Sequence, residues 1–492
     1  MSARYDAVAI GGNVGGLTAA AYLARAGRSV LLLEAGESLG GSCRASSAIA
    51  GARAPLGRHT LDALDPRIVR ELGLVRRGLK FALRDMALVR LAQDGKHLVL
   101  GRDVHAAARA IAAHCPADGD AYRRYRAQLF ALARALRPWW WEARDCRRAP
   151  RSESQRRLLA RLEVASAASF LNGCFESEPL KAMLAFDAGS PFEPGSALTP
   201  VWRAAQEMCG LQGAVAVPLG GPAALVSLLV SAAQEAGVEI RTRARVGRLI
   251  LAENSIAGVE LESGEKIFAR AVLSGLSRRR TLLGLAPTAG AGLAETQALL
   301  RAAPRVGEAS ILLALNAAPA FGGSAVPATA RFIVAERLEA YAGVAAARAG
   351  RLPDELVLEV VVPTAAEPAL APPGQHIVSV RVLGLPVAPD GGWAAMSAKL
   401  ADRVVSMLER HTTHLRERIV AMDLRHPGAD PRCDDGCSGT RIVASFASRI
   451  ATPIEGLFLC GAAAEPVDAI SGRAGRLAAQ MAAAWLGRET AP

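Results

Sequence analysis

A short run near the start of the sequence has the residue types and spacing of a site that holds a dinucleotide. Gly11, Gly12, Asn13, Gly15 and Gly16 follow the apolar run Tyr5 to Ile10, and Glu34 closes a second apolar run, Val30 to Leu33. In such a turn the first glycine permits a sharp bend, the second lets a pyrophosphate approach the backbone, and the third allows close packing of the following helix. The unpaired N–H groups and positive dipole end of that helix favour an anion. An acid about 20 residues further on accepts from a ribose diol, and Glu34 stands where that acid belongs. Asn13 occupies the place of the second glycine. A side chain there is expected to intrude on the pyrophosphate at a partial cost, since asparagine tolerates left-handed backbone angles, and Asn13→Gly is expected to tighten binding.

A ribose diol occurs in both NAD and FAD, so the turn and its acid leave the two cofactors open. Ala35 follows Glu34, and then come Leu39, Gly40 and Gly41. A double glycine just past the ribose acid is typical of FAD chains.

Elsewhere the reactive side chains are sparse. His411 and His414 fall three apart on a predicted helix, but the segment lacks a metalloprotease glutamate and reads as an exposed face. His59 and His376 read as structural. Cys433 and Cys437, beside Asp434 and Asp435, have no second ligand pair and read as ordinary thiols in a loop. No metal and no nucleophilic hydrolase is expected, and no catalytic residue is assigned. A flavin carries out hydride transfer itself and needs few protein groups beyond those that bind and orient.

The elements that must position these residues are a strand, a glycine turn, a helix over Leu17 to Ala26 ended by Gly27 in a left-handed cap, and a second strand. That is the beginning of a parallel βαβ unit. At 492 residues the chain exceeds what one core supports, so two or three domains are expected. The net charge of +12 comes almost wholly from arginine, and without a recognisable nucleic-acid-binding motif no nucleic-acid partner is expected. Residues 123–161 combine many arginines with Trp139, Trp140 and Trp141, a composition that suits peripheral contact with a membrane surface, or else a solvated arm whose tryptophans pack inward. The uncharged stretch Gly210 to Ala233 is interrupted by Pro218, Gly220, Gly221 and Pro222 and reads as strand, turn and buried helix. With scattered cysteines and no leader pattern, a cytoplasmic location is expected.

Longer segments carry a resemblance. LDPRIVRELGLVRRGLKF (Leu64 to Phe81), FESEPLKAMLAFDA (Phe175 to Ala188), the Gly220–Gly221 turn, APPGQH (Ala371 to His376) and TPIEGLFLCGA (Thr452 to Ala462) make the sequence similar to the phytoene-desaturase-related flavoproteins over nearly its whole length. The resemblance implies an α/β fold: a discontinuous, glutathione-reductase-like FAD-binding Rossmann-type domain formed by residues 1–75, 213–300 and 425–492. Residues 76–212 and 301–424 would then make an inserted α+β substrate domain. It also implies FAD as cofactor, with the backbone of Val246 meeting the adenine, Gly461 and Ala462 near the flavin, and a helix beginning near Ser471 aimed at it. Family members of known activity desaturate or isomerise long apolar polyenes, so the implied function is that of an FAD-dependent, dehydrogenase- or desaturase-like oxidoreductase acting on an apolar small molecule by hydride transfer. The chain departs from the family pattern in three places. The glycine-rich loop is replaced by Ala463, Ala464, Glu465, Pro466, Val467, Asp468 and Ala469, a His-Gly segment is shortened to Cys433 through Thr440, and Ala45 and Ser46 replace a Thr-Glu pair. Because a Cβ pushes backbone away from a planar ring, a degenerate flavoprotein scaffold without turnover is the alternative.

Overall fold

The computed structural model describes residues 4–46, 49–55, 57–142, 144, 146–149, 151–287, 292–301, 305–322, 326–429, 447–465 and 470–488. Two seven-stranded sheets organise them. The first places Arg4–Ile10 between Val30–Leu33 and Lys266–Ser274, parallel to both, with Glu239–Arg241 parallel beyond Val30–Leu33. Lys266–Ser274 is flanked over its first half by antiparallel Ser255–Leu261 and over its second by parallel Leu457–Leu459, and Val246–Ala252 closes that edge. The sheet therefore gathers strands from three separated stretches of sequence.

The central strands are continuous apolar runs because both faces are covered, as buried parallel strands require. On one face pack the first helix, Val14–Arg25, with Gly221–Glu235 and the last helix, Arg473–Arg488. Gly27 and Gly237 adopt the positive φ that follows a helix end. The first and last helices cross at backbone contact: a Cβ on Gly475 would lie 2.2 Å from the Gly15 carbonyl oxygen, and one on Gly15 would lie 1.9 Å from that of Cys460.

The second sheet runs in the order Ile419–Arg425, Val306–Leu315, His376–Pro386, Val357–Val361, Arg331–Val334, Leu88–Arg90 and Leu98–Leu100. Its pairings are antiparallel except that between Arg331–Val334 and Leu88–Arg90. The helix Gly392–Glu409 contributes to one core of this sheet, and a helical layer built on the long helix Pro116–Trp141 packs in another. The helix predicted to carry His411 and His414 ends at Glu409. His414 sits beyond it at φ 56°, so the two histidines do not share a helix face.

Trp140 is buried in the helical layer and Trp139 packs against it. The Trp141 ring lies under the guanidinium groups of Arg67, Arg137 and Arg473, at 5.6, 5.1 and 5.6 Å from its centroid. Among the described residues, no helix is long and apolar enough to cross a membrane.

Candidate cofactor site

Parallel strands that end at one edge leave a crevice there, and ligands of such sheets bind in it. Here the edge is formed by Ile10, Leu33 and Ser274, and the loops beyond them are tied together. Gly11 N–H donates to the Leu33 carbonyl (2.7 Å), Gly40 N–H to that of Gly12 (2.7 Å), Gly275 N–H to that of Ile10 (2.7 Å) and Cys460 N–H to that of Ser274 (2.8 Å). They enclose a cavity of about 430 Å³.

Of the residues singled out in the sequence, Gly11, Asn13, Gly15, Glu34 and Ala35 line this cavity, as do Gly40, Gly41, Gly461, Ala462 and Ser471. Gly12, Gly16 and Val246 are not among the residues that line it. The Val246 side chain is buried with Leu249 and Val259, and the preceding residue, Arg245, lines the cavity. Sequence reasoning missed Gly275, Leu276 and Ser277, which continue the neighbouring parallel strand to the same edge. It also missed five arginines of the wall: Arg44, Arg58, Arg245, Arg280 and Arg425. The apolar run over Ile267 to Leu273 is a signal for the first group once parallel pairing is assumed. The arginines are scattered along the chain and carry no local signal.

Glu34 is held by backbone donors. Gly12 N–H reaches its Oε2 at 2.8 Å and Gly36 N–H its Oε1 at 2.7 Å. Each carboxylate oxygen keeps capacity to accept a second hydrogen bond, which is what a ribose diol needs.

Asn13 differs from expectation. Its backbone is extended, at φ −81° and ψ 175°, rather than left-handed, and it caps the first helix, its Oδ1 accepting from Gly16 N–H at 3.0 Å. Its Nδ2 donates to the Gly275 carbonyl at 2.8 Å. The amide thus bridges two loops of the cavity floor, and Val14 and Gly15, whose N–H groups have no acceptor within the helix, line the cavity beside it.

The last helix presents a more crowded terminus. Ser471 Oγ donates to Glu465 Oε1 and accepts from Arg473 N–H at 2.9 Å, while Ala474 N–H donates to the same Glu465 oxygen at 2.9 Å. The expected helix end is present, but a carboxyl of the protein already occupies one of its amides. Pro466 through Ala469, and Cys433 through Thr440 with the Cys433–Cys437 pair, lie outside the described residues.

Nucleophilic chemistry finds little support at this edge. Burial pushes the Cys460 thiol up to about 12, so it is not a thiolate at neutral pH. Gly36-Glu37-Ser38-Leu39-Gly40 does have the spacing of a nucleophile elbow, but Ser38 is exposed in a bend and no histidine lines the cavity it borders. Among the described residues no group of three or more histidines, cysteines or acids is placed to hold a metal.

Residues 14–281 match the family described as flavin containing amine oxidoreductase. The chain belongs to this family. As a member it is an FAD-dependent oxidoreductase, and the cavity residues fit that cofactor: a diol acceptor in Glu34, two free helix amides for phosphate and an arginine-rich wall. Pyridine nucleotide-disulfide oxidoreductase domain-containing protein 2 of Mus musculus is 28% identical over 97% of this chain and 93% of its own length. In fold the chain is similar to a redesigned putrescine oxidase, with a TM-score of 0.66 at 16% identity, covering 99% of this chain and 100% of that one. Cyclohexylamine oxidase from Brevibacterium oxydans IH-35A gives a TM-score of 0.60 at 15% identity, with 99% of each chain covered.

Proposed function

We propose that this oxidoreductase takes a hydride from an apolar small molecule, with FAD seated across the Gly11 turn, Glu34 and the first residues of the two helices. The observation that carries the reading is the convergence of these groups on one cavity at the carboxyl edge of the parallel sheet. Bound FAD supplies the hydride acceptor. The chain's own contribution is binding: Glu34 would accept from the ribose, the Val14 and Gly15 amides would serve the diphosphate, and Gly11, at φ 91°, makes the bend that lets the backbone approach. The five wall arginines against two carboxyls, Glu34 and Glu465, disfavour a cationic amine, and the apolar substrate itself rests on the resemblance to flavoproteins that act on polyenes.

The alternation of strand sources between the two sheets supports a flavin domain from residues 1–75, 213–300 and 425–492, with 76–212 and 301–424 on the substrate side. A cytoplasmic location accords with the scattered cysteines. Heat release of the bound cofactor followed by mass identification tests the reading: a yellow preparation yielding FAD is expected, and a colourless one that takes up no FAD on titration overturns it. Glu34→Ala is expected to weaken FAD binding by about 1.5 to 3 kcal/mol, the scale of hydrogen bonds to a charged group.

Peripheral membrane contact through residues 123–161 is a separate proposal. With Trp140 buried and Trp141 stacked under guanidinium groups, the contact would rest on the exposed arginines of that segment and not on inserted rings. Flotation with anionic liposomes should then fall steeply with added salt, and binding that is indifferent to salt refutes it.

A further inference from the structure

Dinucleotide binding leaves one residue of the cavity wall unexplained. Glu465 is 3% exposed, and only one of its two carboxyl oxygens is used. Oε1 takes both local donors, Ser471 Oγ and Ala474 N–H, at the start of the sixteen-residue last helix. Oε2 has no hydrogen-bond partner among the described residues.

The surroundings do not compensate. Arg473 Nη1 is 3.9 Å from Oε2, outside hydrogen-bonding distance, and the rest of that guanidinium is directed elsewhere, Nε to Asp65 at 3.3 Å and Nη2 to Gln206 at 3.0 Å. Arg449 reaches Glu465 only at its backbone carbonyl. Asp65, buried and ionised between Arg67 and Arg473, opposes a second negative charge nearby. An ionised Glu465 would therefore bury an anionic oxygen without a donor, which is costly. A protonated one needs only an acceptor, and the cavity that Glu465 lines is where an acceptor can arrive.

We propose that Glu465 is a neutral carboxylic acid whose Oε2–H donates a hydrogen bond to the cofactor held in this cavity. Burial pushes its carboxyl up against the pull of Arg473, the direction the geometry asks for. The Glu465 side chain thereby gains a role, since it would bring a donor to the bound cofactor where a glycine would bring only backbone.

The inference rests on FAD binding as proposed above. Its test is the infrared difference spectrum between oxidised and chemically reduced FAD-loaded protein, recorded for the wild type and for Glu465→Gln. A hydrogen bond to an acceptor that gains negative charge on reduction strengthens, so the wild type should show a carboxylic-acid C=O band that shifts between the two states. Glu465→Gln should lose that band while keeping FAD, since its amide still donates. A wild-type spectrum without the band, or the same band in Glu465→Gln, overturns the inference while FAD binding stands. Wild-type protein that takes up no FAD overturns the reading beneath it.

Discussion

Asn13 shows how a residue's type and its role can part company. In the sequence it interrupts a glycine pattern, and the physical cost of a Cβ beside a pyrophosphate suggests relief on replacement by glycine. In the structure its side chain turns away into the loop junction, capping the first helix and holding the Gly275 carbonyl. Asn13→Gly removes two hydrogen bonds, so the apoprotein should unfold at about 1 to 2 kcal/mol lower stability, the scale of a lost cap with one further hydrogen bond. FAD affinity should fall with it, because the loop after Ser274 and the glycine turn lose their bridge. Denaturant unfolding and FAD titration of the variant beside the wild type check both parts. Tighter FAD binding in the glycine variant would restore the simpler view of Asn13 as a tolerated defect.

At the scale of elements, the site depends on how closely two helices approach. The first and last helices each bring an N-terminus to the cavity, and they can do so only because Gly475 lets its backbone touch that of Gly15, while Gly15 makes room for the Cys460 carbonyl. Gly475 sits within a helix, where alanine has the better intrinsic propensity by about 1 kcal/mol. Contact decides against it: a methyl at 2.2 Å from the Gly15 carbonyl oxygen must push the helices apart. Gly475→Ala is therefore expected to lower stability by about 1 to 3 kcal/mol, as overpacking does, and to reduce FAD occupancy by moving the amide ends of both helices. A variant with an unchanged melting temperature and full FAD content would show that the helices have room the structure does not indicate.

Across the whole molecule, buried charge sets how the protein answers to acid. Arg331, Glu359, Arg381 and Glu308 stand on four neighbouring strands of the second sheet and pair in turn, with Arg331 also reaching Asp187 in the helical layer. Burial pushes Glu359 and Asp187 up, but the arginines beside them prevail and hold both below the usual carboxylate range. Their contribution is present above the unfolded carboxyl values and is lost only as pH falls below them. His59 acts sooner. Burial pushes it down from 6.5 to about 3, so below pH 6.5 the unfolded chain gains a proton that the native one refuses. Stability should begin to fall below pH 6.5, while the carboxylates are still ionised, at a limiting slope of about 1.4 kcal/mol per pH unit for this group. His411, pushed down to about 4 by burial and by its neighbours His97 and Arg90, adds to the same limb. Urea midpoints measured between pH 7 and 5 should show the decline, and His59→Phe should flatten it. An equal decline in that variant would place its origin elsewhere.

The sequence by itself determined the glycine turn, the acid at the end of the second strand and the strands of the first sheet, because these follow from local rules. Glycine is needed where backbone bends or touches, apolar runs form buried strands, and an acid at a strand end meets whatever the turn holds. Gly11, Glu34, Gly40 and Gly41 were legible on those grounds, and the motif-length resemblance pointed to Gly461 and Ser471. Only the tertiary structure decided which way a side chain turns once several loops meet. Asn13 finds its partner 262 residues away, and Glu465 meets the helix amide that sequence reasoning had reserved for the cofactor. The wall arginines converge from positions as distant as Arg44 and Arg425. Hydrogen bonds and charge depend on distance in space, and between residues so far apart along the chain that distance is set by how the sheets and helices pack.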